Sequence, residues 1–557
     1  MKNIKIIFSS SIATDSFYLS PINWFLKLYH ENFGKSKNQY FWTLPDIIFD
    51  NNDLKQVKLL GKIQEEKVDV LAFSMYAWNR KAVLSLCKRI KKINPDIILV
   101  VGGPDVDSHK NQNFVKVHPY IDYTIYGDGE VAFSRILDKI NGDESTLINV
   151  VDSAGHVYPH EVFLDKTALK KSPYIEFKDE YIDFAVNLQK KIKNLRDDMY
   201  IVPVWETTKG CPYACSFCDW SSGLHNKVRI WGINEDTIPN WKKEIQLFFE
   251  LYKLLDIKNF SIYWTNPNIG LAKQDEEIVD YWGGLKEKIG SGPMIQNPQL
   301  SKLKKDVTYR ILDKMIVSKI TRDFKFDVQD LNEEVLQNIN RPEIPWNEHR
   351  EYILDLKKKH KLLDDIYIRE RNKYVNRLTF MWGLPGQTLD HLRFNIIEAG
   401  KIRCYGHNLP FELLPNSPAF NDEYIKKFKI KYDSIEILEH GKLFKSKIKS
   451  SFHIDKAVVE NYSLSRYDYF KGIVLYNIYG VFYTDYFEPI FGLEYKIFDN
   501  AYKIESVIRE SYKVFLETGM IGLVDNDKGL TSISKYFYKN KRKMYDIFEF
   551  SSKEVAR

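Results

Sequence analysis

The chain has 557 residues, 44% hydrophobic and 28% charged, which predicts a globular protein of two or three domains rather than a disordered or fibrous one. Its 81 basic and 75 acidic residues leave a formal charge of +6 spread along the chain, which gives no basic patch for nucleic acid. No stretch approaches the roughly 20 apolar residues of a membrane span, and the N-terminal apolar run is too short for a signal peptide, so we expect a cytoplasmic protein without a membrane partner.

Residues 1–150 alternate strand-like and helix-like segments. Apolar strands are predicted at Ile4–Ser9, Val68–Ser74, Ile97–Pro104 and Tyr123–Glu130, and helices at Arg80–Ile93 and Val131–Ile140. Continuous apolar strands separated by helices favour an α/β domain with a doubly wound, Rossmann-like parallel sheet covered on both faces. Such sheets bind ligands at the carboxyl ends of their strands. No G-x-G-x-x-G follows the first strand, so a dinucleotide site is disfavoured.

Three further regions follow along the chain. Residues 151–195 lack strong periodicity and are predicted to be a linker. Between 196 and 425 the alternation resumes, with strands predicted at Tyr200–Trp205, Phe260–Trp264, Phe324–Val328, Leu378–Trp382 and Gly406–Phe411. This many βα units predicts a full or partial (β/α) barrel. Residues 426–557 are aromatic-rich and predicted to be mainly helical, and they would either shape a substrate pocket or pack as ordinary core.

A compact cysteine loop is the strongest chemical signal. Cys211, Cys215 and Cys218 have C-x3-C-x2-C spacing and follow the strand predicted at Tyr200–Trp205. Three thiolates from one loop can ligate three irons of a cubane cluster and leave the fourth iron open for a small molecule. The alternative is a zinc site whose fourth ligand is distant, such as Cys404 or Cys87, although zinc sites normally pair two such motifs and no second one is present.

The cysteine loop, with Phe217 just before its last cysteine, resembles the signature of the radical SAM superfamily. Further segments resemble that family's motifs in the expected order: Ile262–Gly270, Asp327–Arg341, Gly383–Thr388 and Leu414–Pro418. One departure is that Thr265 or Asn266 stands where an acidic residue is common. On these matches the chain is identified as a member of the radical SAM superfamily.

The resemblance implies a [4Fe–4S] cluster on the three cysteines and S-adenosylmethionine (SAM) chelated to the open iron. Reduction by a donor such as flavodoxin or ferredoxin would then give a 5′-deoxyadenosyl radical. The residues expected to hold SAM are Phe217, Asn266, Asn268, Gln329, Arg341, Gly383 and Pro385. Arginine suits a carboxylate because its guanidinium offers a bidentate fork.

The N-terminal domain resembles the cobalamin-binding domain that is fused to many radical SAM enzymes. The residues expected at cobalamin are Ser74, Tyr76, Gly102, Gly103, Gly127, Gly129 and Glu130. The D-x-H-x-x-G motif of histidine-ligating cobalamin proteins is absent after the first strand, and the near match at Asp107-Ser108-His109 lacks the glycine. Cobalamin would therefore have no axial histidine from this chain. The alternatives are glycines that only make tight turns, or a degenerate domain without a ligand.

Together these resemblances imply a cobalamin-dependent radical SAM C-methyltransferase that acts on a small molecule or peptide. One SAM would methylate cobalamin, and a second would supply the radical that abstracts hydrogen from an unactivated carbon. An alternative within the class is an enzyme that rearranges or cyclises its substrate without methyl transfer. A more distant alternative is a binding protein without catalysis, stabilised by cobalamin or a metal.

Overall fold

The computed structural model describes residues 1–481 apart from 10–11, 14–15, 49–52, 78, 107–112, 145, 160–169, 196–198, 222–228, 231–238, 258–259, 297, 301–303, 322–323, 361–375, 403 and 439–450. His109 and the end of the predicted C-terminal region, from 482 onwards, lie outside the described residues. Among the helices that are described, none is both long enough and apolar enough to cross a bilayer.

The N-terminal part of the chain alternates strands and helices, as predicted. Its strands are β1 (Lys2–Ser9), β2 (Ile12–Ala13), β3 (Ser16–Leu19), β4 (Tyr40–Trp42), β5 (Asp46–Ile48), β6 (Val70–Ser74), β7 (Ile98–Gly102), β8 (Tyr123–Ile125) and β9 (Val150–Asp152). Its helices are Ile22–Phe33, Asp53–Glu65, Arg80–Ile93, Asn113–Val117 and Gly129–Ile140. The helix predicted at Arg80–Ile93 is confirmed residue for residue.

The first sheet is doubly wound, in the order β4-β1-β6-β7-β8-β9 with β5 also pairing with β1. All its pairs are parallel except β8 with β9. Leu71 and Leu99 pack in the core on one face of the sheet, with the helix Arg80–Ile93. Val70 and Val100 pack on the other face, with the helix Gly129–Ile140. Burial of both faces explains why these strands are continuously apolar.

The carboxyl ends of β6, β7 and β8 lie side by side. Ser74 pairs with Gly102, and Gly102 pairs with Ile125, so the turns after these strands share one edge of the sheet. The seven residues predicted to contact cobalamin all lie at or just beyond this edge. It is the edge at which doubly wound sheets bind their ligands.

One strand of the N-terminal segment belongs to the second sheet. β3 pairs in parallel with β10 (Tyr200–Trp205), and β2 pairs with β3 in antiparallel orientation. The chain therefore leaves the first sheet after β1, contributes a strand to the barrel, and returns through the helix Ile22–Phe33. The sequence analysis did not predict this strand.

The barrel region contains seven further strands among the described residues, most of them parallel. They are β11 (Thr208–Lys209), β12 (Arg229–Ile230), β13 (Ser261–Trp264), β14 (Met294–Ile295), β15 (Lys325–Gln329), β16 (Arg377–Trp382) and β17 (Tyr405–Pro410), of which β11 and β12 form a small antiparallel ribbon. One sheet has the order β14-β13-β10-β3-β2 and another the order β15-β16-β17. A parallel bridge from Gln299 to Lys325 links them. Within the described residues no pairing closes the strands into a ring, so the barrel is partial.

Helices cover the outside of these strands. They are Asn240–Leu255, Gln274–Ile289, Lys305–Val317, Glu333–Asn338, Trp346–His360, Leu389–Lys401 and Asp422–Lys427. Trp205 and Trp264 on adjacent strands pack with ring centroids 5.3 Å apart, and Trp282 from a covering helix lies 5.7 Å from Trp205. These aromatic rings help to hold β10 and β13 in place, and both strands lead into the candidate site.

The predicted linker contains helices, at Pro173–Glu176 and Lys178–Leu195. Tyr181, Ala185, Leu188 and Ile192 are buried against the barrel core. Their spacing of three and four residues is a helical period that the sequence analysis missed because charged residues separate them. Gln189 on the same helix accepts a hydrogen bond from Ile201 N at 2.7 Å and so ties the helix to β10.

The C-terminal region begins differently from its prediction. β18 (Lys431–Leu438) and β19 (Ser451–Glu460) form an antiparallel pair before the helix Arg466–Val481. Val458 N donates to Phe411 O at 2.8 Å, so β19 continues hydrogen bonding beyond the end of β17. The buried Ala457, Val458 and Val459 are short or β-branched residues that suit this strand.

A pair of adjacent glycines tests the packing at the sheet edge. Gly103 has φ of +118°, and a Cβ there would lie 2.4 Å from Met75 O, whereas a Cβ on Gly102 would make ordinary contact with Ile125. We expect Gly103→Ala to lower the free energy of unfolding by about 2 kcal/mol and Gly102→Ala to change it by less than about 0.5 kcal/mol. Urea unfolding followed by circular dichroism measures both. Equal losses would contradict the assigned backbone of this turn.

Candidate functional site

The cluster loop, defined as Gly210–Cys218, begins just beyond the carboxyl end of β10. Its entry is held by Asn266, whose Oδ1 accepts from the backbone N–H groups of Thr207 and Thr208, both at 3.0 Å. The Nδ2 of Asn266 donates to Thr207 Oγ1 at 2.6 Å. Asn266 is fully buried and its amide is bonded within the protein, so its contacts position the loop.

Polar side chains reach the thiols directly. Asn268 Nδ2 lies 3.1 Å from Cys211 Sγ, and Arg341 Nη1 lies 3.9 Å from Cys215 Sγ. The guanidinium of Arg341 also sits 5.6 Å from the centroid of the Phe217 ring. Three of the residues predicted to hold SAM therefore lie at the cysteines. Hydrogen-bond donors near thiolate sulfur are one of the means by which a protein tunes a cluster.

The outer side of the loop is attached to the segments that follow β15 and β17. Ser216 N donates to Ile339 O at 2.8 Å, and Ser216 O accepts from Ala419 N at 2.8 Å. Asn340 Nδ2 donates to Ala214 O at 2.8 Å. The loop backbone is thus fixed by strand-end segments from across the partial barrel, which orders the thiols before any metal binds.

The thiols lie close enough to influence one another. Burial, together with the neighbouring Cys215 and Cys211, raises the pKa of Cys218 to about 12. Metal ligands must be thiolates, so binding of iron would release protons from this loop. No three His, Cys, Asp or Glu side chains among the described residues converge on one ion. A cubane cluster asks for a different geometry, because each thiolate ligates its own iron.

Gln329 ends β15 beside this loop. Its φ is +65°, an uncommon conformation for a residue other than glycine, and its buried Oε1 has no hydrogen-bond partner among the described residues. Its Nε2 makes a long contact of 3.4 Å to Asp327 O, and the same carbonyl accepts from Arg341. A buried acceptor without a partner fits a site that a polar ligand completes.

The Gly383–Thr388 turn is anchored to the C-terminal strands. Gly383 has φ of +101°, and a Cβ there would lie 2.6 Å from Val458 O on β19. Gln387 Oε1 accepts from Gly383 N at 3.0 Å, while its Nε2 donates to the buried Asp330 at 2.6 Å. Pro385 O accepts from Asn338 Nδ2 at 3.2 Å. The contacts of Gly383 and Pro385 are therefore with the protein, and their predicted role toward SAM stays a prediction.

Two residues that lie beside the cluster loop contact the carboxyl edge of the first sheet. Glu130, at the start of the helix Gly129–Ile140, forms an ion pair with Lys209, two residues before Cys211. Asn416 Nδ2 donates to Pro104 O at 3.2 Å and to Val106 O at 3.0 Å, in the turn that follows β7. The two edges at which parallel sheets place ligands thus face each other.

Comparison with known protein families identifies the domain that contains the edge of the first sheet. Residues 45–137 match the family model described as the B12 binding domain. This range contains the seven residues predicted to contact cobalamin.

Two relatives align with about two thirds of this chain. Identity is 27% over 372 residues to the cobalamin-dependent radical SAM methyltransferase TokK of Streptomyces tokunonensis, covering 65% of this chain and 49% of TokK. Identity is 26% over 367 residues to the 2-(S-pantetheinyl)-carbapenam-3-carboxylate methyltransferase of Streptantibioticus cattleyicolor, covering 64% of this chain and 49% of that relative. This chain therefore resembles radical SAM proteins that carry a B12-binding domain. The alignments span about half the length of these relatives.

A solved structure has a similar fold. The solved structure of the cobalamin-dependent S-adenosylmethionine radical enzyme OxsB with aqua-cobalamin bound superposes with a TM-score of 0.57 at 12% identity. The superposition covers 99% of this chain and 83% of OxsB. At this identity the likeness concerns the fold alone.

The remaining two cysteines lie in other hydrophobic cores. Cys87 is buried beneath the first sheet, where burial raises the pKa of its thiol above the ordinary value. Cys404 is buried in the barrel core, and its backbone N–H donates to Ala399 O at 2.9 Å. Neither core contains the cysteines of the cluster loop, so the structure does not support a zinc site with Cys87 or Cys404 as a fourth ligand.

Sequence reasoning missed the residues that join the two parts of this chain. Lys209 stands beside the cysteine motif and Asn416 within Leu414–Pro418, but neither residue type indicates a partner more than 70 residues away. Asp219 was also missed. It directly follows Cys218, and burial raises the pKa of its carboxyl to about 7, against a lowering by its hydrogen bond with Asn416. Only the fold brings these residues together.

The cysteine assignment predicts a specific iron content. After anaerobic reconstitution we expect about four irons per chain, because three thiolates and one open site suit a single cubane cluster. Alanine at Cys211, Cys215 or Cys218 should remove most of this iron, whereas Cys87→Ala and Cys404→Ala should retain it. Iron and sulfide analysis measures this. Zinc in place of iron, or equal loss in all five variants, would overturn the assignment.

Proposed function

We propose that this chain is a cobalamin-dependent radical SAM methyltransferase that places a methyl group on an unactivated carbon of a small molecule or peptide. The observation that carries the proposal is that the carboxyl edge of the B12-binding domain contacts Lys209, next to the cluster loop, and Asn416, in a segment that is hydrogen-bonded to the loop. Both relatives at 26–27% identity are named methyltransferases, which supports the same reaction class here.

The cluster loop offers the donor set that a [4Fe–4S] cluster needs. Cys211, Cys215 and Cys218 would ligate it, with Asn268 and Arg341 beside the sulfurs. Gln329, with its partnerless buried oxygen, and Arg341, with its charged fork, are the residues suited to the amino acid part of SAM. When bound, the reduced cluster supplies the electron that cleaves SAM to a 5′-deoxyadenosyl radical, and cobalamin carries the methyl group.

The edge of the first sheet offers a surface for a large flat ligand. Gly102 ends β7, and Gly103 and Gly127 have positive φ, so the backbone turns without side chains in the way. Gly103 packs its Cα against the backbone of Met75, which fixes the turn after β6. Ser74 and Tyr76 lie in that turn beside the glycines. These features favour a functional cobalamin site over turns that only connect strand and helix.

The reaction balances with SAM and electrons alone. The substrate loses one hydrogen atom to the 5′-deoxyadenosyl radical, which becomes 5′-deoxyadenosine, and gains one methyl group from a second SAM. The other products are methionine and S-adenosylhomocysteine, and two electrons enter from a one-electron donor such as reduced flavodoxin or ferredoxin. The chain's own residues would keep the two sites at which SAM reacts near one another. The buried cluster loop is suited to exclude water from the radical.

A second candidate within the class has its own relative. The anaerobic magnesium-protoporphyrin IX monomethyl ester cyclase of Rubrivivax gelatinosus is 24% identical over 237 residues, covering 41% of this chain and 40% of that protein. Its name describes ring closure, not methyl transfer. An enzyme of that kind would need the radical and would not need to transfer the methyl group of SAM.

The two candidates differ in how they consume SAM. A methyltransferase should form S-adenosylhomocysteine from SAM in a manner that depends on added cobalamin and reductant, even without the true substrate. In the presence of substrate, S-adenosylhomocysteine and 5′-deoxyadenosine should form in equal amounts. Liquid chromatography with SAM labelled in its methyl group measures both products.

The controls separate the parts of the proposal. The Cys215→Ala variant should lose 5′-deoxyadenosine, because reductive cleavage requires the cluster. Formation of 5′-deoxyadenosine without cobalamin-dependent S-adenosylhomocysteine would contradict methyl transfer and favour the cyclase-like candidate. Loss of neither product in Cys215→Ala would contradict the radical SAM assignment itself.

A further inference from the structure

A buried ion pair joins the two parts of the chain beside the cluster loop. Glu130 is 7% exposed, and the side chains of Lys209 and Glu130 are 16% and 8% exposed. Lys209 Nζ also lies 5.3 Å from the centroid of the Phe25 ring, on the helix Ile22–Phe33. The Lys209 side chain therefore leaves the barrel strand β11 and ends among residues of the N-terminal part.

The charges around this lysine favour its protonated form. Three carboxylates surround it, and the one that forms the ion pair is Glu130; the others are Glu206 and Asp128. Asp128 and Glu130 come from the turn after β8, whereas Glu206 directly follows β10. The lysine is thus a cation shared between the carboxylates of two domains.

A second contact lies at the other end of the loop. Asn416 donates to the carbonyls of Pro104 and Val106. The Asp219 carboxyl is hydrogen-bonded to Asn416 and lies near the negatively charged Asp105. Asp105 in turn pairs with Arg80 at 3.1 Å, on the helix that covers the first sheet. The N-terminal domain therefore contacts Lys209, two residues before the first cysteine, and Asn416, which is hydrogen-bonded to Asp219 directly after the last cysteine.

Buried ion pairs are a costly way to gain stability, because desolvation offsets much of their attraction. Their clearest use is to fix one geometric arrangement over alternatives. Here that arrangement is the relative position of two ligand-binding edges. Neither Glu130 nor Lys209 is needed to form the sheet or the cluster loop, since the loop backbone is already held by Asn266, Ser216 and Asn340.

We infer that Glu130–Lys209 and the Asn416 contacts act together as a domain clamp that sets the position of the cobalamin edge over the cluster loop. The inference rests on the proposed function and adds positioning residues to it. Methyl transfer from SAM to cobalamin needs both edges at one distance, whereas reductive cleavage of SAM needs the cluster loop alone. The domain clamp should therefore affect methyl transfer from SAM to cobalamin more than reductive cleavage of SAM.

The test compares the two products of SAM in a variant without the ion pair. Glu130→Gln with Lys209→Met in one chain removes both charges, so no unpaired charge stays buried. We expect the ratio of S-adenosylhomocysteine to 5′-deoxyadenosine to fall about 100-fold, since misplacement by about 1 Å can cost that factor. Because Glu130 is also among the residues predicted to contact cobalamin, the ratio is measured with hydroxocobalamin in saturating excess, and the iron content should match that of the wild type.

Two matched variants give the test its specificity. The charge swap Glu130→Lys with Lys209→Glu restores an ion pair and should recover most of the ratio. Asp143→Asn breaks the exposed ion pair of Lys35 with Asp143, at 3.0 Å within the N-terminal part, and should leave the ratio as in the wild type. A swap that recovers nothing, with iron and cobalamin intact, would overturn the role of the ion pair.

Hydrogen exchange provides a readout that does not depend on activity. In the chain without SAM, the neutral double variant should exchange faster at backbone amides 128–131 and 206–209 than the wild type, and the charge swap should restore protection. Unchanged exchange together with an unchanged ratio would overturn the domain clamp. If the wild type forms no cobalamin-dependent S-adenosylhomocysteine, the proposed function fails, and the exchange result alone then supports or overturns the clamp.

Discussion

The opposed carboxyl edges of two parallel sheets are the constraint on which this structure depends. Parallel strands place their ligand-binding turns at the carboxyl end, so each sheet offers one reactive edge. In this chain the N-terminal segment contributes the strand β3 to the second sheet, where it pairs with β10 by main-chain hydrogen bonds. The ion pair of Glu130 with Lys209 then brings the two edges into contact.

The cluster loop shows how a local motif depends on distant residues. Three cysteines within eight residues can be recognised from sequence, but their geometry is set by Asn266 at the loop entry and by Ile339 and Ala419 on its outer side. These partners come from three different strand ends. A cluster held in this way has its ligands ordered in advance, and its sulfurs lie within reach of Asn268 and Arg341.

Much of this arrangement could be predicted from the sequence, because it follows from local periodicity and short motifs. The helix Arg80–Ile93 and the strand Tyr200–Trp205 were predicted residue for residue, and β13, β15, β16 and β17 to within one residue at each end, whereas the short strands β11, β12 and β14 were not predicted. The placement of Asn268 and Arg341 beside the thiols also agrees with the motif order. What could not be predicted depends on contacts between distant segments: β3 in the barrel sheet, the β18–β19 pair, and the contacts of Glu130 and Asn416.

The magnetic interaction between cobalamin and the cluster tests most directly whether the two edges face each other. In protein that carries both groups, reduction to cob(II)alamin and to the reduced [4Fe–4S] cluster makes both paramagnetic, and spins on facing edges should interact. Electron paramagnetic resonance should then show splitting or broadening of the cobalt signal that disappears in Cys215→Ala, which lacks the cluster. A spectrum equal to the sum of two independent centres would contradict the opposition of the two edges.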